Sequence, residues 1–173
     1  MTVLPDALRS LSNDPARLAD IAELGLPSAS EDPELAELLA RVSRRHDMSI
    51  VIVSLVLGGA QHWIAQHGLS GWMAEAGGTP VEWSFCTQVV ATGQPVVVED
   101  ATADSRVAGN PLIEEEGVRC YAGVPLVTSR GHVLGSLCVI GSTRSSISSV
   151  QITALEEAAA LIMERLEARR RSR

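Results

Sequence analysis

The apolar positions of this chain change period as the sequence advances. After Asp32-Pro33, residues Leu35, Leu38, Leu39 and Val42 recur at i, i+3, i+4 and i+7, which predicts a helix with one buried stripe. An Asp before a Pro is a start signal: the carboxylate accepts an orphan amide, and the proline has no amide to leave unpaired. That helix is expected to end near Arg44-Arg45-His46. Asp14-Pro15 repeats the signal, with Leu18, Ile21 and Ala22 as the apolar side and Gly25 as the terminator. Residues 49–57 (SIVIVSLVL) are apolar on both alternations and predict a central strand covered on both faces. Gly58-Gly59 predicts a turn. Residues 61–67 then alternate, with His62, Ile64 and Gln66 on one side and Trp63 and Ala65 on the other, as the hairpin partner.

Further along, glycines and prolines make 68–80 loop-like, with a short strand at 81–84. Residues 85–91 predict a helix closed by Gly93, and 95–99 (PVVVE) a strand. Residues 100–117 form a long polar stretch with a helical turn around 111–116; a loop of that length usually has a function or acts as a lid. Strands are expected at 119–127, with Pro125 marking an irregular spot or an edge, and at 133–140, joined by a turn at Ser129-Arg130-Gly131. Ser148 and Gln151 form a capping box for a last helix, whose stripe is Leu155, Ala159, Ile162 and Leu166. Hairpins imply an antiparallel sheet and helices at both ends must cover it, so the fold class is α+β and not a Rossmann fold.

Composition narrows the function. A hydrophobic fraction of 46% supports one buried core, built from aliphatic residues because Trp, Tyr and Phe number only three, one and one. The net charge of −7 argues against a nucleic-acid partner. No lysine is present. Arg169, Arg170, Arg171 and Arg173 form a short basic tail that complements a helix C-terminus. The sequence divides into an N-terminal extension (1–13), one domain (14–168) and this tail (169–173). Cys86, Cys120 and Cys138 show no metal or disulfide spacing and imply reduced thiols in the cytoplasm. The first nine residues lack a signal peptide's pattern, and the longest apolar run, 48–60, is too short to cross a bilayer; no membrane partner is expected. The last helix lies close to the end of the chain, so no kinase, cyclase or DNA-binding output is expected on it.

Three stretches carry a family resemblance. They are Ser84-Phe85-Cys86-Thr87-Gln88-Val89-Val90, the run from Gly93 to Ala101 with Asp104-Ser105-Arg106, and Tyr121-Ala122-Gly123-Val124-Pro125-Leu126 with the run from Gly131 to Ile140. Together with Pro15-Ala16-Arg17-Leu18 and Val53-Ser54-Leu55, they resemble bacterial GAF domains over roughly residues 14 to 168. The resemblance implies a six-stranded antiparallel sheet with terminal helices on one face and a small-molecule pocket, framed by short helices and loops, on the other. It also implies signalling, with a homodimer through the terminal helices or a separate signalling protein as partner. The chain departs from the family at Gln88, Gly141 and Cys120, where many relatives carry His, Asp and an aromatic residue. It lacks the Asn-Lys-Phe-Asp-Glu signature of cyclic-nucleotide binders and the Cys-His pair of bilin-binding members. The cofactor is therefore unknown, with no haem, bilin or metal signature.

The candidate ligand-binding residues are Trp83, Phe85, Cys86, Asp100, Asp104, Cys120 and Tyr121, and none is assigned a catalytic role. Trp83, Phe85 and Tyr121 either line a cavity or serve as the core's large fillers. Cys86, at a helix start, is either a buried structural thiol or a reactive one. It resembles one cysteine position of GAF-fold free-methionine-sulfoxide reductases, which makes thiol redox chemistry the alternative function. A ligand-free scaffold is the third. Asp100, Asp104 and Arg106 form a polar cluster whose simpler role is to hold the loop. Of four histidines, His46 and His132 are expected in solvent, and His62 and His67 on opposite faces of one strand.

Overall fold

A computed structural model describes residues 6–25 and 32–172. Residues 1–5 of the extension and Arg173 of the tail lie outside the described residues. The Asp-Pro signals act as local chemistry requires. Asp14 accepts from the Ala16 amide and opens α2 (Pro15–Leu24), which ends on Gly25 at φ 61°. Asp32 accepts from the Glu34 and Leu35 amides and opens α3 (Pro33–His46). Ahead of them, residues assigned to an extension form α1 (Asp6–Ser12).

Strands β1 (Ile50–Val56) and β2 (Ala60–His67) make the first hairpin. After α4 (Gly71–Ala76) come β3 (Gly78–Pro80), α5 (Cys86–Thr92) and β4 (Val96–Val98). A segment carrying α6 (Pro111–Glu114) leads to β5 (Cys120–Val127), β6 (Val133–Gly141) and α7 (Ser149–Arg171). The strands form one six-stranded sheet in the order β3-β2-β1-β6-β5-β4, and every neighbouring pair is antiparallel. The expected α+β architecture is the observed one.

Two apolar layers sandwich the sheet. One holds Leu35, Leu39, Val51, Val53, Leu137, Leu155 and Ile162, packed under α2, α3 and α7. The other holds Ile52, Val56, Phe85, Val89, Tyr121 and Ile140, under α4, α5 and α6. β1 feeds both layers, which is why its sequence is apolar at every position but Ser54.

Several elements differ from expectation. The short strand lies at 78–80, while Val81–Trp83 form a 3-10 turn. β3 exists because it pairs with β2, with Gln61 opposite Thr79, and Gln61 Nε2 donates to Thr79 Oγ1 at 2.8 Å. Local propensity carries no trace of that pairing. α4 lies in the stretch read as loop and ends on Gly77 at φ 65°. A bulge between Val53 and Ser54 breaks the alternation of β2, so Ile64 and Ala65 both face the α3 side while Trp63 packs with the opposite layer. Residues 100–117 are not a free polar loop, because Val107, Leu112 and Ile113 are buried. Pro125 is interior to the sheet but lies beyond β4, which pairs only with residues 121–123.

Polar ties fasten the helical layer. His46, expected in solvent, is buried with its ring nitrogens 2.9 Å from the Val42 carbonyl and 2.8 Å from the Gln151 carbonyl. His132, likewise expected in solvent, lies 2.6 Å from Asp20, which also accepts from Thr128 and Arg130. Arg165 and Arg169 both reach Asp32, and Arg170 reaches Glu23, so Arg169, Arg170 and Arg171, read as a tail, are part of α7, and the first two help tether it to α2 and α3. The Arg165 hydrogen bonds hold the Asp32 carboxyl well below its usual range, at about 2. Because the folded value is lowered, this stabilisation is complete above the unfolded carboxyl value and is lost as pH falls towards about 2. Asp32→Ala is expected to destabilise the domain by about 2 kcal/mol, through the lost cap and the lost tether. Urea titration at pH 7 and pH 3 checks this: the gap between wild type and variant is expected to narrow at the lower pH.

Candidate functional site

On the α5 side of the sheet a cavity of about 180 Å³ lies between β1, β2, β5 and β6 below and α4, α5 and the 99–119 segment above. Its apolar wall includes Ile50, Ile52, Met73, Phe85, Leu112, Val118 and Ile140. Its polar groups are Ser54, Gln61, Trp63, Ser70, Cys86, Glu116, Tyr121 and Cys138. Glu116 accepts from Trp72 Nε1 at 2.6 Å, which joins α4 to the 99–119 segment. Trp72 in turn packs edge-on to Trp83, ring centres 6.4 Å apart.

Beneath the cavity runs a connected polar network. Ser84 Oγ donates to Gln61 Oε1 at 2.7 Å and accepts the Cys86 amide at 3.1 Å, so α5 is fixed to β2 at its first residue. Cys86 Sγ accepts from Ser136 Oγ at 2.9 Å and from Tyr121 Oη at 3.3 Å. Hydrogen bonding from Cys138, then from Ser136 and Tyr121, outweighs burial and lowers the Cys86 thiol below its ordinary range. The hydrogen bond to Cys86, then burial, raises Cys138, and burial beside that sulfur raises Tyr121. The Tyr121 ring stacks on Phe85, centres 5.2 Å apart, and occupies the space a side chain at position 123 would need. The Tyr-Ala-Gly run therefore has a steric basis: a Cβ at Gly123 would meet Tyr121 Oη at 2.1 Å.

Two polar atoms stand outside this network. Ser54 Oγ and Trp63 Nε1 are buried and have no hydrogen-bond partner. Ser54 faces Cys86, and its nearness favours the thiolate, yet it closes no hydrogen bond of normal geometry.

The structure brings together three of the seven residues read from the sequence: Phe85, Cys86 and Tyr121 line the cavity. Cys120 does not, since it is buried in the opposite layer, 3.6 Å from Met48 Sδ, where burial raises its thiol. Trp83 packs against the edge of the α5-side layer, and its carbonyl accepts from Asn110. Asp100 and Asp104 border a shallow, open depression elsewhere. Asp100 accepts from the Thr102 amide and hydroxyl, and Asp104 from the amide and guanidinium of Arg106, whose Nη2 also reaches the Val97 carbonyl. Both aspartates hold loop turns. Sequence reading missed Ser54, Gln61, Trp63 and Cys138. Ser54, the lone polar residue inside an apolar strand, carried a signal: a hydroxyl in such a position must meet either a partner or a guest.

A sheet of this order, with terminal helices on one side and a small cavity on the other, defines a class of α+β domain. The GAF domain family matches residues 30–166, and the chain belongs to that family. A cyclic di-GMP phosphodiesterase of Pseudomonas aeruginosa is 33% identical over 153 residues, covering 87% of this chain and 25% of that protein. The chain thus spans about a quarter of that relative's length. Among solved structures, the free methionine-R-sulfoxide reductase of Neisseria meningitidis superposes with a TM-score of 0.66 at 20% identity, covering 100% of this chain and 97% of that one. The GAF domain of an Acinetobacter phosphoenolpyruvate-protein phosphotransferase gives 0.63 at 17% identity, over 94% and 92%. At these identities the structural likenesses establish the fold. Among the described residues no helix is long and apolar enough to cross a membrane.

Proposed function

We propose that this GAF domain is a sensory module of a cytoplasmic signalling system and binds a small molecule in the cavity beneath α4 and α5. One observation carries the reading: a cavity of about 180 Å³ whose wall holds two buried polar atoms without partners. Burying a polar atom unpaired is costly, and a guest that pairs it recovers that cost. The 33% identity to part of a cyclic di-GMP phosphodiesterase supports a signalling role. Occupancy would tighten the Trp72–Glu116 contact over the cavity and pass through β1 and β6 to α7, where exposed Val150 and Leu161 offer a surface for a second copy or another signalling protein. Native mass spectrometry after gentle purification tests the reading. A retained small molecule is expected, and adding its purified form at 100 times its dissociation constant should stabilise the domain by about 2.7 kcal/mol.

A second reading has one observation in its favour, the adjoining Cys86 and Cys138 at the cavity with the Cys86 thiol lowered. Thiol reduction of a sulfoxide would proceed by attack of the Cys86 thiolate at sulfur. The oxygen would pass to Cys86 as a sulfenic acid and the thioether would leave. Cys138 would then condense with the sulfenic acid, forming the disulfide and releasing water. Under the binding reading, wild-type protein supplied with dithiothreitol is expected to leave free methionine sulfoxide unreduced. Turnover abolished by Cys86→Ser would replace that reading.

A further inference from the structure

We infer that the cavity takes a short, uncharged, largely apolar molecule that presents one hydrogen-bond-accepting oxygen to Ser54 and Trp63. The inference rests on the binding role proposed above and specifies its ligand class.

Size sets the first limit. A cavity of about 180 Å³ is close to one of roughly 150 Å³ that admits benzene, so the guest has about six to nine non-hydrogen atoms. A cyclic dinucleotide, with two bases and two phosphates, is several times too large. Charge sets the second. Among the described residues the wall contains no arginine or histidine, and its charged groups are the Glu116 carboxylate and the Cys86 thiol, which hydrogen bonding biases towards the thiolate. An anion would enter unpaired, close to that carboxylate and to a Cys86 sulfur already gathering hydrogen bonds. Buried unpaired charge is strongly disfavoured.

The unpartnered atoms set the third limit. Trp63 Nε1 is a donor only, and Ser54, fully buried, has a hydroxyl proton to give. Two acceptors of the cavity wall are already engaged. Gln61 Oε1 takes the Ser84 hydroxyl, and Cys86 Sγ takes Ser136 and Tyr121. Ser54 and Trp63 are direct partners across the β1–β2 pair, so one oxygen can sit between their donors. An ammonium brings no acceptor and leaves the Trp63 N–H unpaired. An amide or ketone oxygen satisfies both donors, while its alkyl part lies against Ile52, Met73 and Ile140.

Matched probes test this on the full chain: pentanamide, pentanoate, pentylammonium and benzene, each titrated into nitrogen-15-labelled protein and followed by amide shifts. Pentanamide is expected to move the amides of Ser54, Trp63 and Cys86 with a dissociation constant at least about tenfold below those of the charged probes and benzene. Ser54→Ala is expected to leave the melting temperature of the unliganded protein unchanged or higher, because it removes an unpaired hydroxyl. Ser54→Ala and Trp63→Phe should each weaken pentanamide several-fold. Tighter or equal binding of pentanoate, pentylammonium or benzene at the same amides overturns the ligand class and leaves the binding role standing. Pentanamide affinity unchanged in both variants overturns the assignment of its oxygen. If no probe moves the cavity amides and no retained molecule is found, both the class and the binding role fall.

Discussion

Replacing Arg17 with methionine is expected to remove about 3–5 kcal/mol of stability, a large share of the 5–15 kcal/mol typical of a folded domain. Arg17 lies on α2 and is buried at the end of the sheet, 3% exposed. Its Nε donates to the Val133 carbonyl at 2.7 Å and its Nη2 to the Leu134 carbonyl at 2.9 Å; Nη2 also reaches the Val56 carbonyl, and Nη1 the Ser12 carbonyl. One planar fork thus joins α1, α2, the last residue of β1 and the first residues of β6. Burial lowers the guanidinium to about 10, and nearby Asp14 partly opposes this, so the group remains charged at pH 7. Methionine fills much of the volume but leaves the strand-end carbonyls without donors in a site water reaches poorly. Arg17→Lys should recover less than half of the loss, because a single ammonium cannot span the same carbonyls. Urea unfolding of the three proteins by circular dichroism checks this. A methionine variant within about 1 kcal/mol of wild type would show that the carbonyls find other partners.

That arginine also marks where sequence reasoning stops. Pro15-Ala16-Arg17-Leu18 was legible as part of a family pattern, and Asp14 as a cap, because capping is settled within four residues. What Arg17 does depends on carbonyls 39 and 117 positions away. The same division holds at the site. Helix starts at Asp14, Asp32 and Ser148, and the stop at Gly93, were readable from local chemistry. The edge strand 78–80, the bulge at Val53/Ser54 and the meeting of Cys86 with Cys138 arise only when distant strands pair. Cys120 and Tyr121 are consecutive in a strand, and period two sends them to opposite faces, so both could not line one cavity. Tyr121 stacks on Phe85 at the cavity, and Cys120 packs on Met48 beneath the terminal helices. Asp100 and Asp104, by contrast, held the loop-building role that Asx residues beside Thr and Arg ordinarily hold.

Gly135→Ala is expected to cost about 3 kcal/mol or more and to abolish the cavity with it. Gly135 lies opposite Leu55 in the β1–β6 pair. A Cβ there would stand 1.9 Å from the Ser54 carbonyl oxygen, 2.8 Å from its carbon and 2.9 Å from Leu55 Cα. All three are backbone atoms, so no side-chain rotation relieves the overlap, and the two central strands must separate or slip. Either response displaces Ser54 and Ser136, which face each other one step along the same ladder, and with Ser136 goes a hydrogen bond to Cys86. Stability and the site should therefore fail together. Gly59→Ala is the control, since nothing lies within 4 Å of a Cβ there and it is not among the positive-φ glycines. Thermal melts should show Gly59→Ala within about 0.5 kcal/mol of wild type. Gly135→Ala should melt far lower, with dispersed Ser54 and Cys86 amide signals lost even below its transition. If Gly135→Ala instead kept wild-type shifts at those two residues, the close approach of β1 to β6 would not be what shapes the cavity floor.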